Sequence, residues 1–158
     1  MQNRIFNFNP GPSALPIAVL NQIQEELLNY KSTGMSILET SHRSPEYEDI
    51  NDSAIALCKE FMGIGDEFHV LFVGGGASTQ FDYIPLNFLP IGGKAAYVDT
   101  GTWASKAVKE AEKIGNVHLA GSSKDSDYTY ILSTSELDIP EDSAYLHITS
   151  NNTIKGTQ

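Results

Sequence analysis

Four short groups of residues in this chain could do chemistry. In Val70-Leu-Phe-Val-Gly-Gly-Gly-Ala-Ser-Thr-Gln-Phe-Asp82 an apolar run ends in three glycines and then in hydroxyls. Glycine inside an element costs about 0.5–1 kcal/mol relative to alanine, so three in a row imply a close approach of backbone to something. Read as strand, turn and helix start, the stretch offers the N–H groups of Ala77 and Ser78, and the Ser78 hydroxyl, to a phosphate or carboxylate. It is neither Gly-x-Gly-x-x-Gly nor a Walker loop, so an anion cradle and a purely structural turn are both open. Trp103, the only tryptophan, follows an apolar run and the turn Thr100-Gly101; there it can stack on a planar ligand or serve as a core residue. His42-Arg43 sits in an aperiodic stretch. Arg43, one of two arginines, carries a fork suited to anions but equally to an ordinary ion pair. Asn151, Asn152 and Thr153 can contact a ligand or make a turn, and without context the turn is the simpler reading.

The remaining chemistry-bearing residues form no such group. His69, His118 and His147 are scattered singly without metal-ligand spacing and read as core or surface. No paired carboxylates, Ser-His-Asp order or reactive-cysteine context stands out.

The elements that must position these groups follow from the hydrophobic pattern. Residues 1–15, with Pro10, Gly11 and Pro12, predict a turn-rich arm. Ser13 and Pro16 announce a helix whose Leu20, Ile23, Leu27 and Tyr30 keep helical spacing. Lys31–Ser44 reads as an irregular loop. Pro45 then opens a second helix carrying Tyr47, Ile50, Ala54, Leu57 and Phe61 on one face and ending near Gly63. Beyond it the pattern predicts strands at 68–73, 94–99, 117–121, 128–132 and 144–149. Helices are predicted at 78–89, disturbed by Pro85, and at 102–115, with Val108, Ala111 and Ile114 facing inward. Strands alternating with helices imply a mostly parallel α/β sheet, whose ligands lie at strand C-terminal ends. Ala77, Trp103 and Asn151–Thr153 all follow such ends.

Composition limits the function classes. The chain has 158 residues, 41% hydrophobic and 19% charged, which suits one compact domain over 16–158 behind the arm. Ten basic and 20 acidic residues leave a formal charge of −10, which speaks against nucleic acid or an anionic membrane as partner. The lone Cys58 permits no internal disulfide, no apolar run approaches the roughly 18 residues of a membrane helix, and no signal-peptide core opens the chain. These features predict a soluble cytoplasmic protein.

Taken together, Asn7-Phe-Asn-Pro-Gly-Pro-Ser-Ala-Leu-Pro16, Ser41-His-Arg-Ser44, Leu71–Phe81, Tyr97–Ala111 and His147–Gln158 occur in an order and spacing that resembles the phosphoserine aminotransferases. These are class V, fold-type I enzymes that use pyridoxal phosphate. The resemblance implies that Ala77 and Ser78 cradle the cofactor phosphate, Trp103 stacks on its ring and Thr153 contacts it through a hydroxyl. Arg43, with His42 beside it, would bind the anionic groups of the substrate. It further implies a homodimer and amino transfer between glutamate and 3-phosphohydroxypyruvate, giving phosphoserine and 2-oxoglutarate. The pathways implied are serine synthesis and pyridoxine synthesis. Family members are more than twice as long, and the Schiff-base lysine and the aspartate that pairs with the pyridine nitrogen match no residue here. The expectation is therefore the N-terminal part of a cofactor-binding large domain, inactive alone. The rival reading, from the glycine turn and the α/β pattern only, is a non-catalytic nucleotide- or phosphate-binding domain.

Overall fold

A computed structural model describes residues 4–158. The chain divides into two compact units, Met1–Phe72 and Val73–Gln158.

The first unit is helical. Helix α1 spans Ile17–Glu26 behind Pro16, and it ends a turn earlier than its apolar spacing predicts. Asn29, with φ −151°, breaks the path, and its Oδ1 accepts the Gly34 N–H at 2.8 Å. Tyr30 is consequently buried in a short 3-10 turn instead of continuing the helix. Glu39 and Ser36 close a capping box over a second 3-10 turn, Ile37–Glu39. Helix α2, Pro45–Met62, has its expected bounds for identifiable reasons. The Ser44 hydroxyl accepts the Tyr47 N–H, Pro45 fills the first turn, and Gly63 adopts the left-handed conformation at the end. Among the described residues of this unit only Tyr30 and Ser36 are buried.

Segment 68–73 is not a strand. Phe68, Leu71, Phe72 and Val73 are all more than half exposed, and none of them pairs with a strand among the described residues. An apolar run signals β-forming residues but cannot name a partner strand, and extended chain without a ladder stays irregular.

The second unit holds the sheet. Strands β1 (Lys94–Asp99), β2 (Asn116–Ser122) and β3 (Ser143–His147) are parallel, in the order β2-β1-β3. Two helices complete the unit, α3 (Gln80–Phe88) and α4 (Thr102–Glu112). As the central strand, β1 is buried on both faces, and its period of two divides the core. Ala95 and Tyr97 pack with Leu89 and with Ala107 and Ala111 of α4. Ala96 and Val98 pack with Ala120, Leu132 and Leu137 on the other side. Val108 joins the first cluster from its rim. Helix α3 continues through Pro85, whose buried ring offsets the lost backbone bond.

The strand expected at 128–132 is also absent. Asp127 and Tyr128 have φ of +54° and +60°, values that no strand tolerates. Tyr128 is instead buried and tied to Asp99, while Leu132 lies over β1 as a lid on the second core. The apolar residues of that run cover the sheet face rather than extend it.

Candidate functional site

The C-terminal ends of β1 and β3 face one crevice of about 450 Å³, lined among others by Gly76, Ala77, Ser78, Phe81, Trp103 and His147. Of the six sequence candidates, Ala77, Ser78 and Trp103 line it directly. Thr153 reaches it through Trp103, whose indole Nε1–H donates to Thr153 Oγ1 at 3.0 Å. Arg43 and His42 belong to the first unit, exposed in a turn where the Arg43 N–H donates to Ser41 Oγ at 3.1 Å. They are not among the lining residues.

The glycine turn is built for backbone access. Gly75 has φ +89°, and a Cβ there would meet the Thr79 side chain at 2.7 Å. Thr79 in turn donates its hydroxyl to Gly76 O at 2.6 Å, closing the turn from inside. The first engaged amide is that of Thr79, which donates to Gly76 O at 3.2 Å. The N–H groups of Ala77 and Ser78 make no hydrogen bond among the described residues, so both donors are free. Beside them, Lys106 Nζ donates to Ser78 Oγ at 3.2 Å.

Trp103 is placed by a residue that the pattern assigned to a turn. Asn152 is fully buried, and its Oδ1 accepts the N–H groups of Trp103 at 3.1 Å and Ala104 at 3.2 Å. Its Nδ2 donates to Thr100 Oγ1 at 3.1 Å. Asn152 thus caps α4 from 49 residues away, because the cap position itself is Gly101, which has no side chain to offer. Gly101 is required there, since a Cβ would meet Asn152 Cγ at 2.5 Å. Thr157 Oγ1 donates to Thr100 O at 2.6 Å and fixes the loop that carries Asn152 and Thr153. A second anchor is the buried Asp99, which accepts from Ser105 Oγ at 2.8 Å and Tyr128 OH at 3.1 Å.

His147 forms part of the crevice wall. Its ring stacks on Tyr97 at 4.8 Å between centroids and meets the Phe81 ring edge-on. Burial pushes its pKa below the usual histidine value, so the ring is neutral near pH 7. Desolvation raises the Tyr97 hydroxyl, helped by its 2.8 Å contact with Tyr145 OH. This wall is aromatic and uncharged. The free amide donors and the Lys106 ammonium lie on the glycine-turn side.

Sequence reasoning left Asn152 as a ligand contact or, more simply, a turn residue, read His147 as core or surface, and did not single out Lys106 or Asp99. Lys106 was detectable as a residue one helical turn beyond Trp103 and therefore on the same face. Asn152 was not, because its bond links segments whose closeness only the folded sheet creates.

The donor set fits a flat ring bearing a phosphate: two free backbone N–H groups, one hydroxyl and one ammonium nearby, with an indole across the crevice. Among the described residues no group of three His, Cys, Asp or Glu could hold a metal ion, and no helix is long and apolar enough to cross a membrane.

Comparison with known proteins bears on this arrangement. Residues 5–158 match the family model described as aminotransferase class-V. The chain is 54% identical over 160 residues to phosphoserine aminotransferase from Desulfatibacillum aliphaticivorans, covering 99% of this chain and 43% of that protein. It is 52% identical to the enzyme of the same name from Halalkalibacterium halodurans, covering 98% and 43%. Among solved structures, phosphoserine aminotransferase from Bacillus circulans subsp. alkalophilus superposes with a TM-score of 0.87 at 49% identity, over 95% of this chain and 42% of that one. A pyridoxal-phosphate-bound phosphoserine aminotransferase from Trichomonas vaginalis superposes with a TM-score of 0.87 at 30% identity, over 96% and 43%. The chain spans about 43% of the length of the curated relatives it matches.

Proposed function

The chain belongs to the class V aminotransferases, and from that premise we propose that it supplies the phosphate and ring contacts of a phosphoserine transaminase. The whole enzyme would exchange an amino group between glutamate and 3-phosphohydroxypyruvate, giving phosphoserine and 2-oxoglutarate. It would serve serine synthesis, and pyridoxine synthesis as well, as a cytoplasmic homodimer. Residues 16–158 would form part of its cofactor-binding large domain.

The observation that carries this reading is the crevice itself: free Ala77 and Ser78 amides on one side, and the Trp103 indole, hydrogen-bonded to Thr153, on the other. Bound there, pyridoxal phosphate supplies the electron sink for amino transfer. The Ala77 and Ser78 N–H groups and the Ser78 hydroxyl hold its phosphate. Trp103 sets the plane of its ring, and the indole is itself fixed by Asn152 at the backbone and by Thr153 at Nε1. Because Thr153 accepts from the indole, its own hydroxyl proton remains available to donate. Neutral His147 and Phe81 keep the facing wall apolar, which strengthens each polar contact to the ligand. Arg43, with His42, would take the anionic groups of the substrate. The guanidinium suits that task because it forms no ion pair among the described residues.

The test is the activity of the polypeptide extended to the length of its relatives. Phosphoserine with 2-oxoglutarate should yield glutamate. Turnover of an unphosphorylated amino acid in its place would contradict the assignment. Saturable nucleotide binding without binding of pyridoxal phosphate would favour a nucleotide-binding domain.

A further inference from the structure

Lys106 counts above only as an ammonium near the phosphate contacts, with no role of its own. It lies three residues after Trp103 on α4, and the two side chains share a face. Its ammonium is held at two points. It donates to Ser78 Oγ at 3.2 Å, and it sits 5.9 Å from the centroid of the Trp103 ring. The same group borders a hollow of about 160 Å³ that also exposes Ser78, Asp82 and Glu110. It pairs with neither carboxylate; Glu110 is bonded to Lys113 instead. A lysine held only by surface charge would take the nearest carboxylate, whereas this one turns toward a hydroxyl.

The consequence follows from donor arithmetic. An ammonium has three donors and no acceptor, while a serine hydroxyl has one donor and two acceptor positions. At the Lys106–Ser78 contact the serine oxygen must accept, so its proton points away from the lysine. Ser78 also lines the large crevice, where the proton finds a use.

We propose that Lys106 is a positioning residue for an anion in the crevice, occupying one lone pair of Ser78 so that the Ser78 hydroxyl becomes a dedicated donor to a phosphate. It also brings a positive charge, in no salt bridge among the described residues, next to that hydroxyl, polarising the O–H bond. This rests on the reading of the crevice as a pyridoxal-phosphate site. The contribution is specific to the phosphate, because Lys106 reaches the ligand through Ser78 and not through the ring.

The probe is the single indole Nε1–H resonance of the 158-residue chain, since Trp103 is its only tryptophan. Pyridoxine 5′-phosphate and pyridoxine are the ligands, chosen because they lack an aldehyde and cannot react with lysines. Lys106→Met should weaken the phosphorylated ligand by about three- to tenfold, the scale of one hydrogen bond. It should leave pyridoxine binding unchanged. Lys106→Arg, which keeps a donor and a charge, should recover most of the loss. In a Ser78→Ala background, Lys106→Met should have much less effect, because the hydroxyl it orients is gone. Circular dichroism and urea midpoints of the free variants equal to those of the parent confirm that they fold as it does, since the indole resonance itself responds to the loss of the ammonium 5.9 Å from the ring centroid. Equal losses for both ligands would mean that Lys106 acts by packing on Trp103, and would overturn the proposal, as would unchanged affinity for the phosphate. An indole resonance that neither ligand moves in the unsubstituted chain would overturn the cofactor reading and this one together.

Discussion

Two turns in the second unit lead into helices, and they use their backbone donors in opposite ways. The turn at 100–102 enters α4 with its Trp103 and Ala104 amides already taken by Asn152 Oδ1. The turn at 74–79 leads toward α3 with the Ala77 and Ser78 amides free. Both turns depend on glycine, but for different ends. Gly101 makes room for the side chain that caps. Gly75 supplies a left-handed conformation that bares the backbone. One turn is closed in order to place an aromatic ring, and the other is open in order to bind. A site needs both, because a rigid ring without free donors holds no anion, and free donors without a fixed ring do not orient one.

The closed turn can be broken most severely at Asn152. Asn152→Ala would orphan the Trp103 and Ala104 amides and the Thr100 hydroxyl in a buried setting, so the loss in stability should be about 2–4 kcal/mol. Urea denaturation followed through Trp103 fluorescence reads this directly, and the emission of the folded variant should shift as the ring loses its fixed position. A loss below 0.5 kcal/mol, a threshold set at about the scatter of surface substitutions, would mean that α4 is capped by something else.

The open turn is sharpened by Gly75→Ala. At φ +89°, with Thr79 only 2.7 Å from the new Cβ, the substitution should cost about 1–2 kcal/mol. Here the binding effect should exceed what stability explains. Phosphorylated ligand should bind more weakly even where the chain remains folded by circular dichroism. Undiminished binding would show that the turn does not touch the anion.

The smallest effect concerns the uncharged wall between the two turns. Burial lowers the pKa of His147 below its ordinary value of 6.5. The unfolded chain therefore takes up a proton near pH 6.5 that the folded chain refuses. Stability from this group is complete above that pH and is lost as pH falls toward the lower folded value. Tyr97 does not interfere, because its hydroxyl is pushed upward. His147→Gln should flatten the dependence of stability on pH between 6.5 and about 5, a window above the ordinary carboxylate range. An unaltered slope would assign it to other groups.

The difference between the turns was only half legible in the sequence. The free turn could be read from Gly74-Gly75-Gly76-Ala77-Ser78, since glycines before a hydroxyl carry their own local reason. Helix α2 and strand β1 were equally plain, the first through Ser44, Pro45 and Gly63, and the second through a short apolar run between turns. The capped turn was hidden. Asn152 looks like any turn-forming asparagine until β3 returns beside β1 and delivers it to Trp103. Runs 68–73 and 128–132 misled for a related reason. Their residues favour strands, but pairing is a property of the neighbour, and two left-handed residues at 127–128 send the second run across the sheet face. Caps and turns act within a few residues and can be read. Partners supplied from 20 to 50 positions away, such as Asp138 for His118 or Asn152 for Trp103, cannot.

Amide hydrogen exchange at four positions tests the contrast most directly. In the free chain the Trp103 and Ala104 amides should exchange slowly, while those of Ala77 and Ser78 should exchange close to the rate of unprotected peptide. Saturation with pyridoxine 5′-phosphate should slow exchange at Ala77 and Ser78 and leave Trp103 and Ala104 as they were. Fast exchange at Trp103 and Ala104 in the free chain, or no added protection at Ala77 and Ser78 with ligand bound, would contradict the account.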